Sequence, residues 1–421
     1  MLSCDGGTRA AGSGGEAEAR ASTAELCRRW PRDTTLRIRP RGPQRSLHIL
    51  RISDLEDIHG ILHKFVLEDI GRMGKPLYRK HPPGLAAAYA DVENHALHQD
   101  ESLVGTPGAI SIRRNAAHTR FYVRQYYDFD GRKRDQYLCQ ATARDCERVV
   151  EAWKRRIDEA KQLQASVRLL AREGYSTLRP KPLAALATLS RRKLFHAGAV
   201  LVGTHAYEVI VNRLGIRVAV FSTEDVDVAR PSKLALDEPP AGGILDLLRQ
   251  SGIDFVDVPA FTHGAPPTSF KERGRSRFTF DLLVPTPGEH VRTLPVPELH
   301  AHATGLPYLR YLLTQTQMGA AISSHGVVAV RVPIPERFAM HKLLVAQLRV
   351  GRPEKSRKDL DQAAVLIAAL GELFPGAIEE AYGKTPTSTR RHLRKSLEKI
   401  RGELEAHPQS WEETARAAKL E

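Results

Sequence analysis

The chain of 421 residues is 42% hydrophobic and 27% charged, an ordinary composition for a globular protein of two or three domains. Its apolar runs are far shorter than a membrane crossing requires, and its first residues lack the apolar stretch of a secretory signal, so we expect neither a membrane partner nor export. A formal net charge of +14 favours anionic partners such as nucleotides or nucleic acid, although solvated Lys and Arg side chains would give the same sum.

The cysteines give no sign of a metal site. Cys4, Cys27, Cys139 and Cys146 form no CxxC pair and no cluster with histidine, which argues against a zinc site and against a disulfide framework. The pattern therefore predicts a protein of the reducing cytoplasm.

The first 83 residues are predicted to be a disordered or poorly defined extension. Residues 1 to about 25 are rich in Gly, Ala, Ser and Glu without periodicity, a composition that buries too little apolar surface to fold. One helix is predicted over DLEDIHGILHKFVLEDI at 54–70, where apolar residues recur at roughly helical spacing.

Residues 84–182 are predicted to form a basic α+β domain. A helix is followed by two or three antiparallel strands in GAISIRR and TRFYVRQYYDFDGRKRDQYLCQ, where β-branched and aromatic residues flank a turn at Asp130 and Gly131. A long amphipathic helix comes next, because apolar residues recur every three or four positions up to Leu170, and Gly174 suits its C-terminal end.

Basic and aromatic residues interleave along these predicted strands. Such a mixture on a sheet can follow a phosphate backbone and stack bases, but aromatic residues on strands more often pack against each other while the cations are solvated. We favour packing and keep nucleic acid open as an acceptor. The residues are Arg113, Arg114, Arg120, Arg124, Arg132, Lys133 and Arg134, with Phe121, Tyr122, Tyr126, Tyr127 and Tyr137.

Residues 183–332 carry the predicted chemistry. In LVGTHAY at 201–207 an apolar strand runs into Gly203 and Thr204 and then into a helix, and the free N–H groups at a helix start suit a triphosphate. In STEDVDVA, Asp225 and Asp227 lie two residues apart, so both side chains project from one face of a strand.

A third acid is predicted on a later strand. In SRFTFDLLVP, Asp281 lies among alternating apolar residues, where a lone charge is unfavourable unless it is paired or binds a metal. Neighbouring carboxylates repel each other unless a cation lies between them, and oxygen ligands of this kind suit Mg²⁺ bound jointly with substrate phosphates.

Two alternatives apply to these motifs. An Asp-x-Asp strand is more often a turn or a surface edge, and Gly-Thr before a helix is weak alone, but the three signals in this order are much rarer. His300 and His302 have metal-like spacing, yet no further ligand lies nearby in the sequence, so a loop or surface position is predicted. P-loop, zincin and hydrolase motifs are absent from the sequence.

Residues 333–421 are predicted to be a helical domain. In PIPERFAMHKLLVAQLR, Pro335 suits a first helical turn and Glu336 complements the helix dipole, and the helical pattern continues almost to the end.

The three signals together resemble the DNA polymerase β superfamily, in which an apolar residue, Gly and Ser or Thr precede an Asp-x-Asp strand and a third acid. Val202-Gly203-Thr204, Asp225-Val226-Asp227 and Asp281 match this pattern one by one. Over roughly residues 84–390 the chain also resembles a bacterial family of nucleotidyltransferase-like proteins. It departs from the superfamily in the longer gap between Thr204 and Asp225, which we expect NRLGIRVAVFS to fill with an extra strand or loop.

The resemblance implies an α+β fold with a polymerase β-like nucleotidyltransferase core, a small mixed sheet flanked by helices. It implies a nucleotidyltransferase that moves a nucleoside monophosphate from an NTP to a hydroxyl of RNA, protein or a small molecule. Its cofactor would be two Mg²⁺ ions, with Mn²⁺ as an alternative, held by Asp225, Asp227 and Asp281. The oligomeric state is left open.

Three further residues are nucleotide-binding candidates by resemblance to abortive-infection-type nucleotidyltransferases. Lys342, on the first C-terminal helix, would bind a β- or γ-phosphate; the alternative is that it simply reaches solvent. Lys358 and Asp359 occupy the place of a Lys-Asp pair near the nucleotide, but KSRKDLDQ also reads as an ordinary charged helix face, which we favour.

Three hypotheses follow from the sequence. The first is a metal-dependent nucleotidyltransferase with the acids in catalysis, the second a toxin-like nucleotidyltransferase that modifies tRNA or a protein, and the third a non-catalytic nucleic-acid-binding protein that uses the basic hairpin.

Overall fold

The computed structural model describes residues 75–99, 101–219, 221, 223–260, 264–288, 290–349 and 351–420. The disorder predicted for the first residues and the helix predicted at 54–70 lie outside the described residues.

A helix and a three-stranded sheet come first in the described chain. After the short strand β1 (Arg79–Lys80), helix α1 (Pro83–His98) begins with proline in its first turn, where the missing N–H is not needed. Strands β2 (Ala109–Arg114), β3 (Arg120–Tyr127) and β4 (Lys133–Gln140) form an antiparallel sheet in that order. The predicted strands are confirmed.

The turn between β3 and β4 is the one predicted at Asp130 and Gly131. The Asp128 carboxylate accepts backbone N–H bonds from Asp130 at 3.0 Å and Arg132 at 2.9 Å, and Gly131 has a φ of +74° that favours glycine. Helix α2 (Cys146–Arg172) then packs against β2 and β4, and Gly174, with a φ of +91°, follows its end as predicted.

The prediction that the chain contains no disulfide framework is wrong for one pair. The sulfurs of Cys139, near the end of β4, and Cys146, at the start of α2, are 2.07 Å apart and form a disulfide. The strand and the helix bring the two Cα atoms within 5.5 Å, a separation that a disulfide requires and that sequence spacing alone does not reveal. The cytoplasmic location therefore loses the support that it drew from the cysteines and stays a prediction.

The central sheet of the described chain is mixed and has seven strands. Its path is β11-β12-β10-β7-β5, with β9 pairing β10 and β8 pairing β9; β10 is parallel to β7 and β12, and the other pairs are antiparallel. The strands are β5 (Val200–Val202), β7 (Asp225–Ala229), β8 (Phe255–Asp257), β9 (Ser269–Glu272), β10 (Thr279–Pro285), β11 (Arg292–Val296) and β12 (Ala301–Leu306).

Three helices accompany this sheet: α3 (Pro180–Arg191), α4 (Gly203–Arg213) and α5 (Gly243–Arg249). Between α4 and β7, the extra strand expected in the long gap is present as β6 (Ile216–Arg217), which pairs with β1. The mixed α and β architecture agrees with the predicted α+β class.

A hairpin and a group of helices complete the described chain. The hairpin consists of β13 (Thr316–Ser323) and β14 (Gly326–Pro333), and it is preceded by the short helix α6 (Leu309–Leu313). The predicted helical segment is confirmed, and its helices are α7 (Pro335–Leu348), α8 (Pro353–Leu373), α9 (Ala377–Gly383), α10 (Arg390–Ile400) and α11 (Pro408–Ala418).

The described residues form two hydrophobic cores, and the smaller one joins α1, α2 and the β13–β14 hairpin. The larger one extends from Tyr78 to Ala418 and includes the buried residues of β5, β7 and β10 together with those of α7 and α8. The domain divisions predicted near residues 83, 182 and 332 stay predictions. None of the helices in the described ranges is long and apolar enough to cross a membrane.

A polar contact ties the start of the described chain to its last helices. The Tyr78 hydroxyl donates to Glu372 on α8, whose carboxylate also bonds Nδ1 of His407. The Leu77 N–H donates to Nε2 of His407 at 3.0 Å, and the rings of Tyr78 and His407 stack with centroids 5.4 Å apart. We call this group the Tyr78–Glu372–His407 clasp.

Candidate active site

The three predicted acids lie on neighbouring parallel strands. Alternation buries Val226 and Val228 on one face of β7 and leaves Asp225 and Asp227 on the other, partly buried. On β10, Asp281 alternates in the same way with buried neighbours, and it stands directly opposite Asp227 in the parallel register. The carboxylates therefore share one face of the sheet, as the sequence predicted.

Gly203 lies against the middle acid. It follows Val202, which pairs with Asp227 across the antiparallel β5–β7 contact, and it begins α4 with a φ of +69°. A Cβ atom at this position would lie 2.2 Å from Oδ2 of Asp227, so no residue with a side chain fits without displacing the carboxylate. The predicted order of strand, Gly203 and helix is confirmed, and Thr204 is buried immediately after the glycine. Phosphate binding by Gly203 and Thr204 stays a prediction.

Burial and the neighbouring carboxylates make ionisation of Asp227 and Asp281 unfavourable. Burial raises the pKa of Asp227 to about 6, and the charges of Asp281 and Asp225 add to this rise. Burial also raises the pKa of Asp281, with the charge of Asp225 adding to it. A cation bound between such carboxylates would offset both effects, so the donor set fits a divalent ion.

The hard oxygen ligands also fit magnesium. Asp225 accepts a bond from Thr279 Oγ1 at 2.9 Å and has Lys355 Nζ 3.9 Å away. Within the described residues, no three His, Cys, Asp or Glu side chains are grouped so as to hold a metal ion by themselves. Mg²⁺ usually takes only one or two carboxylates and completes its shell with water and substrate phosphates, so the acids suit an ion bound together with a triphosphate.

Lys342 is buried, so the alternative that it merely reaches solvent is wrong. Only 7% of the residue is exposed, and its Nζ lies 2.6 Å from Oδ1 of Asp359. The second oxygen of Asp359 accepts a bond from Nε of Arg349. Asp359 therefore holds Lys342 in place, and Lys342 in turn opposes the rise in the pKa of Asp227 that burial produces.

Lys358 is half-buried on α8, next to Asp359. Its Nζ lies 5.9 Å from the ring centroid of Phe221, and burial followed by the charge of Lys342 lowers its pKa. The interpretation of this segment as an ordinary charged helix face fails for Asp359, which is 2% exposed. Contact of Lys342, Lys358 and Asp359 with a nucleotide stays a prediction.

Sequence reasoning missed a histidine and glutamate pair on α4. Nδ1 of His205 and Oε2 of Glu208 are 2.8 Å apart, both residues are buried, and Nε2 of His205 is a buried atom without a hydrogen-bond partner in the described structure. His205 also acts electrostatically on Asp227. The three-residue spacing on a helix beginning at Gly203 is a signal that could have found the pair.

Lys355 was missed as well, although it precedes Lys358 by one helical turn. The prediction of a loop or surface position for the two other histidines is confirmed for one of them. His300 is exposed and follows a short 3₁₀ helix with a φ of 46°, whereas His302 lies half-buried on β12, where the prediction is wrong.

The Lys342–Asp359 pair makes a testable prediction. Asp359→Asn would leave two cations facing each other without a carboxylate, so we expect the free energy of unfolding to fall by about 3 kcal/mol. Although burial opposes ionisation, Lys342 and Arg349 hold the pKa of Asp359 below its ordinary value. The stabilisation should therefore be complete above about pH 4 and be lost as the pH falls through the lower pKa of the folded state.

Urea unfolding at neutral and acidic pH measures this difference. Asp246→Asn is the matched control, because Asp246 pairs with Arg249 on the surface and its side chain is 58% exposed. A loss of stability no larger than in this control would show that the buried pair does not stabilise the fold.

The three acids, the glycine at the start of α4 and the buried lysine lie on and beside one mixed sheet. Residues 182–386 match a protein-family model described as nucleotidyltransferase. The match supports a transferase of the nucleotidyltransferase kind, and nucleotidyl transfer as the general activity. No curated protein and no solved structure matches the chain. The matched segment contains all the predicted site residues, which are Gly203, Thr204, Asp225, Asp227, Asp281, Lys342, Lys358 and Asp359.

Proposed function

We propose that the protein transfers a nucleoside monophosphate from an NTP to a hydroxyl acceptor in a metal-dependent reaction of the polymerase β type. One observation carries the proposal: Asp227 and Asp281 stand opposite each other on parallel strands, with Gly203 against Asp227 at the start of a helix. Crowded carboxylates with raised pKa values are unfavourable in a merely structural surface patch. A bound cation would offset their repulsion, which is why the arrangement favours a cation site.

The acids would hold the divalent ions, Mg²⁺ or Mn²⁺. Asp225 and Asp227 would bind these ions together with the triphosphate. When bound, the ions would neutralise the triphosphate and favour ionisation of the attacking hydroxyl. The acceptor oxygen forms a bond to the α-phosphorus while the bond to the bridging oxygen breaks, and pyrophosphate leaves. A carboxylate oxygen of Asp281 would orient the acceptor hydroxyl and take up its proton.

The remaining residues would position the triphosphate. Gly203 and Thr204 begin α4. The N–H groups and the helix dipole at this end would favour an anion such as a phosphate. Lys342, held by Asp359, supplies a fixed positive charge. Lys355 and Lys358 add charge from the neighbouring helix α8.

The test uses purified protein and a nuclease-treated or untreated cell lysate, incubated with each NTP and Mg²⁺. NTP labelled at the α-phosphate should leave its label on an acceptor, whereas label at the γ-phosphate should appear only in pyrophosphate. EDTA should abolish transfer, and Mn²⁺ should restore it. Loss of the labelled product after nuclease or protease treatment identifies the acceptor as RNA or protein.

Two results would reject the proposal. Transfer of the γ-label would assign the protein to phosphoryl rather than nucleotidyl transfer. Undiminished transfer in EDTA would remove the divalent ion from the reaction.

A further inference from the structure

Helix α8 begins beside the acids and carries a lysine in its first turn. The helix starts at Pro353, and Lys355 follows two residues later. Its Nζ lies 3.9 Å from Oδ2 of Asp225. Burial raises the pKa of Asp281, and the charge of Lys355 opposes this rise. Lys355 therefore acts on acids of both neighbouring strands, β7 and β10.

The helix itself gives no reason for a cation at this position. The first turn of a helix is the positive end of its dipole, where a lysine side chain is disfavoured. In the part of the chain that the structure describes, Asp225 is also the one carboxylate within ion-pair distance of Lys355. The acids are therefore the groups that compensate the charge of this lysine.

Lys355 differs from Lys342 in its freedom to move. Lys342 is buried, and its 2.6 Å contact with Asp359 fixes it. The side chain of Lys355 is instead 54% exposed, and its contact with Asp225 is longer than a hydrogen bond. An exposed ion pair of this kind is weak, and the long stem of a lysine allows the ammonium group to turn to another partner.

A divalent ion and this ammonium group compete for Asp225. Both are cations, so an ion held by the Asp225 carboxylate would repel an Nζ atom that lies 3.9 Å from Oδ2. A triphosphate reverses the balance, because its negative charges attract the ion and the lysine alike. Lys355 therefore opposes an ion that binds alone and favours an ion that binds together with triphosphate.

We propose that Lys355 makes binding of the divalent ion depend on the triphosphate. In the metal-free protein the ammonium group takes the place of the ion beside Asp225, and it turns to the triphosphate when ion and substrate bind together. Free ions are then held weakly, and the acids take up the ion when substrate is present. This inference rests on the proposed function, because it requires that the acids bind the ion jointly with triphosphate.

The test uses the full chain and two binding measurements. Electron paramagnetic resonance measures the affinity for free Mn²⁺, and calorimetry measures the affinity for a preformed complex of Mn²⁺ with inorganic triphosphate, which carries no base. Lys355→Gln removes the charge and keeps most of the side-chain length. It should bind free Mn²⁺ about fivefold more tightly and the triphosphate complex about fivefold more weakly, since one ion pair at about 4 Å in water is worth about this factor.

Two controls accompany this variant. Lys355→Arg keeps the charge and should show neither change. Lys161→Gln is the matched surface control, because Lys161 is 57% exposed and its Nζ lies 2.9 Å from Asp158 on α2, and both affinities should stay at their parental values. Asp227→Ala should abolish binding of free Mn²⁺, which assigns the measured ion to the acids.

Opposite changes in the two affinities separate the proposed role from a structural one, because a lysine that only maintains the shape of the site would lower both when it is lost. Equal or weaker binding of free Mn²⁺ by Lys355→Gln would therefore overturn the inference. The proposed function would survive that result if Asp227→Ala abolishes Mn²⁺ binding. Mn²⁺ binding that Asp227→Ala leaves intact, or no Mn²⁺ binding by any variant, would reject the metal site and both proposals with it.

Discussion

Asp227→Asn should abolish nucleotidyl transfer while making the metal-free protein more stable. Removal of a charge that stabilises a transition state typically costs at least about a hundredfold to a thousandfold in rate, and here it also removes a carboxylate proposed to hold the cation. Labelled-NTP transfer measures the first effect. Asp158→Asn is the control, because Asp158 is 66% exposed on α2. This variant should transfer at the parental rate.

The stability gain follows from the pKa of Asp227, which burial and then Asp281 and Asp225 raise to about 6. A raised carboxyl pKa means that ionisation costs more in the folded state, so the parental protein loses stability as the pH rises from about 4 to 6. Asn does not ionise, and its advantage in EDTA should be about 1–3 kcal/mol above pH 6 and vanish near pH 4.

Urea unfolding across this pH range shows whether Asp227→Asn raises or lowers the free energy of unfolding. An Asn variant that is less stable than the parent at neutral pH would show that the carboxylate stabilises the fold, and that the loss of activity reflects damage to the structure. A variant that is stable and still active would reject the assigned role.

Gly203→Ala should lower transfer about a hundredfold and destabilise the fold. A displacement of about 1 Å in a reacting group is enough for such a loss, and the new Cβ would lie 2.2 Å from Oδ2 of Asp227. The positive φ adds roughly 1–2 kcal/mol for a residue with a side chain. Gly288→Ala is the control, because Gly288 has a φ of +81° but nothing within 4 Å of the new atom.

A double-mutant cycle separates the two causes. In an Asp227→Ala background the carboxylate is gone, so Gly203→Ala should be less destabilising than in the parent by about 1 kcal/mol, which is a typical coupling for residues in contact. Additive effects would show that the cost comes from the backbone alone, and that Gly203 does not set the position of Asp227.

Local pattern was sufficient to place the acids on one face of a sheet. A two-residue period decides which way Asp225, Asp227 and Asp281 project, and β-strands obey it wherever one face is buried. The register that sets Asp227 opposite Asp281 could not be predicted from the sequence, because it joins residues 54 positions apart through tertiary packing. The polymerase β type of core likewise stays a proposal.

Long-range contacts explain the other failures. Lys342 falls on a predictable helix, but its burial depends on Asp359, which the next helix supplies. Cys139 and Cys146 meet because a strand and a helix converge there, and their spacing carries no signal of it. The unpartnered Nε2 of His205 is visible only in three dimensions.

The Tyr78–Glu372–His407 clasp bears on how this protein can be shortened for expression. His407 lies beyond residue 386 and Tyr78 before residue 182, so a fragment trimmed to the family match would lose two of the three partners. It would also lose α10 and α11, which pack against α7, α8 and α9, and so uncover apolar side chains of the larger core. Such a fragment should aggregate, and soluble material for crystallisation or assays needs both flanks retained.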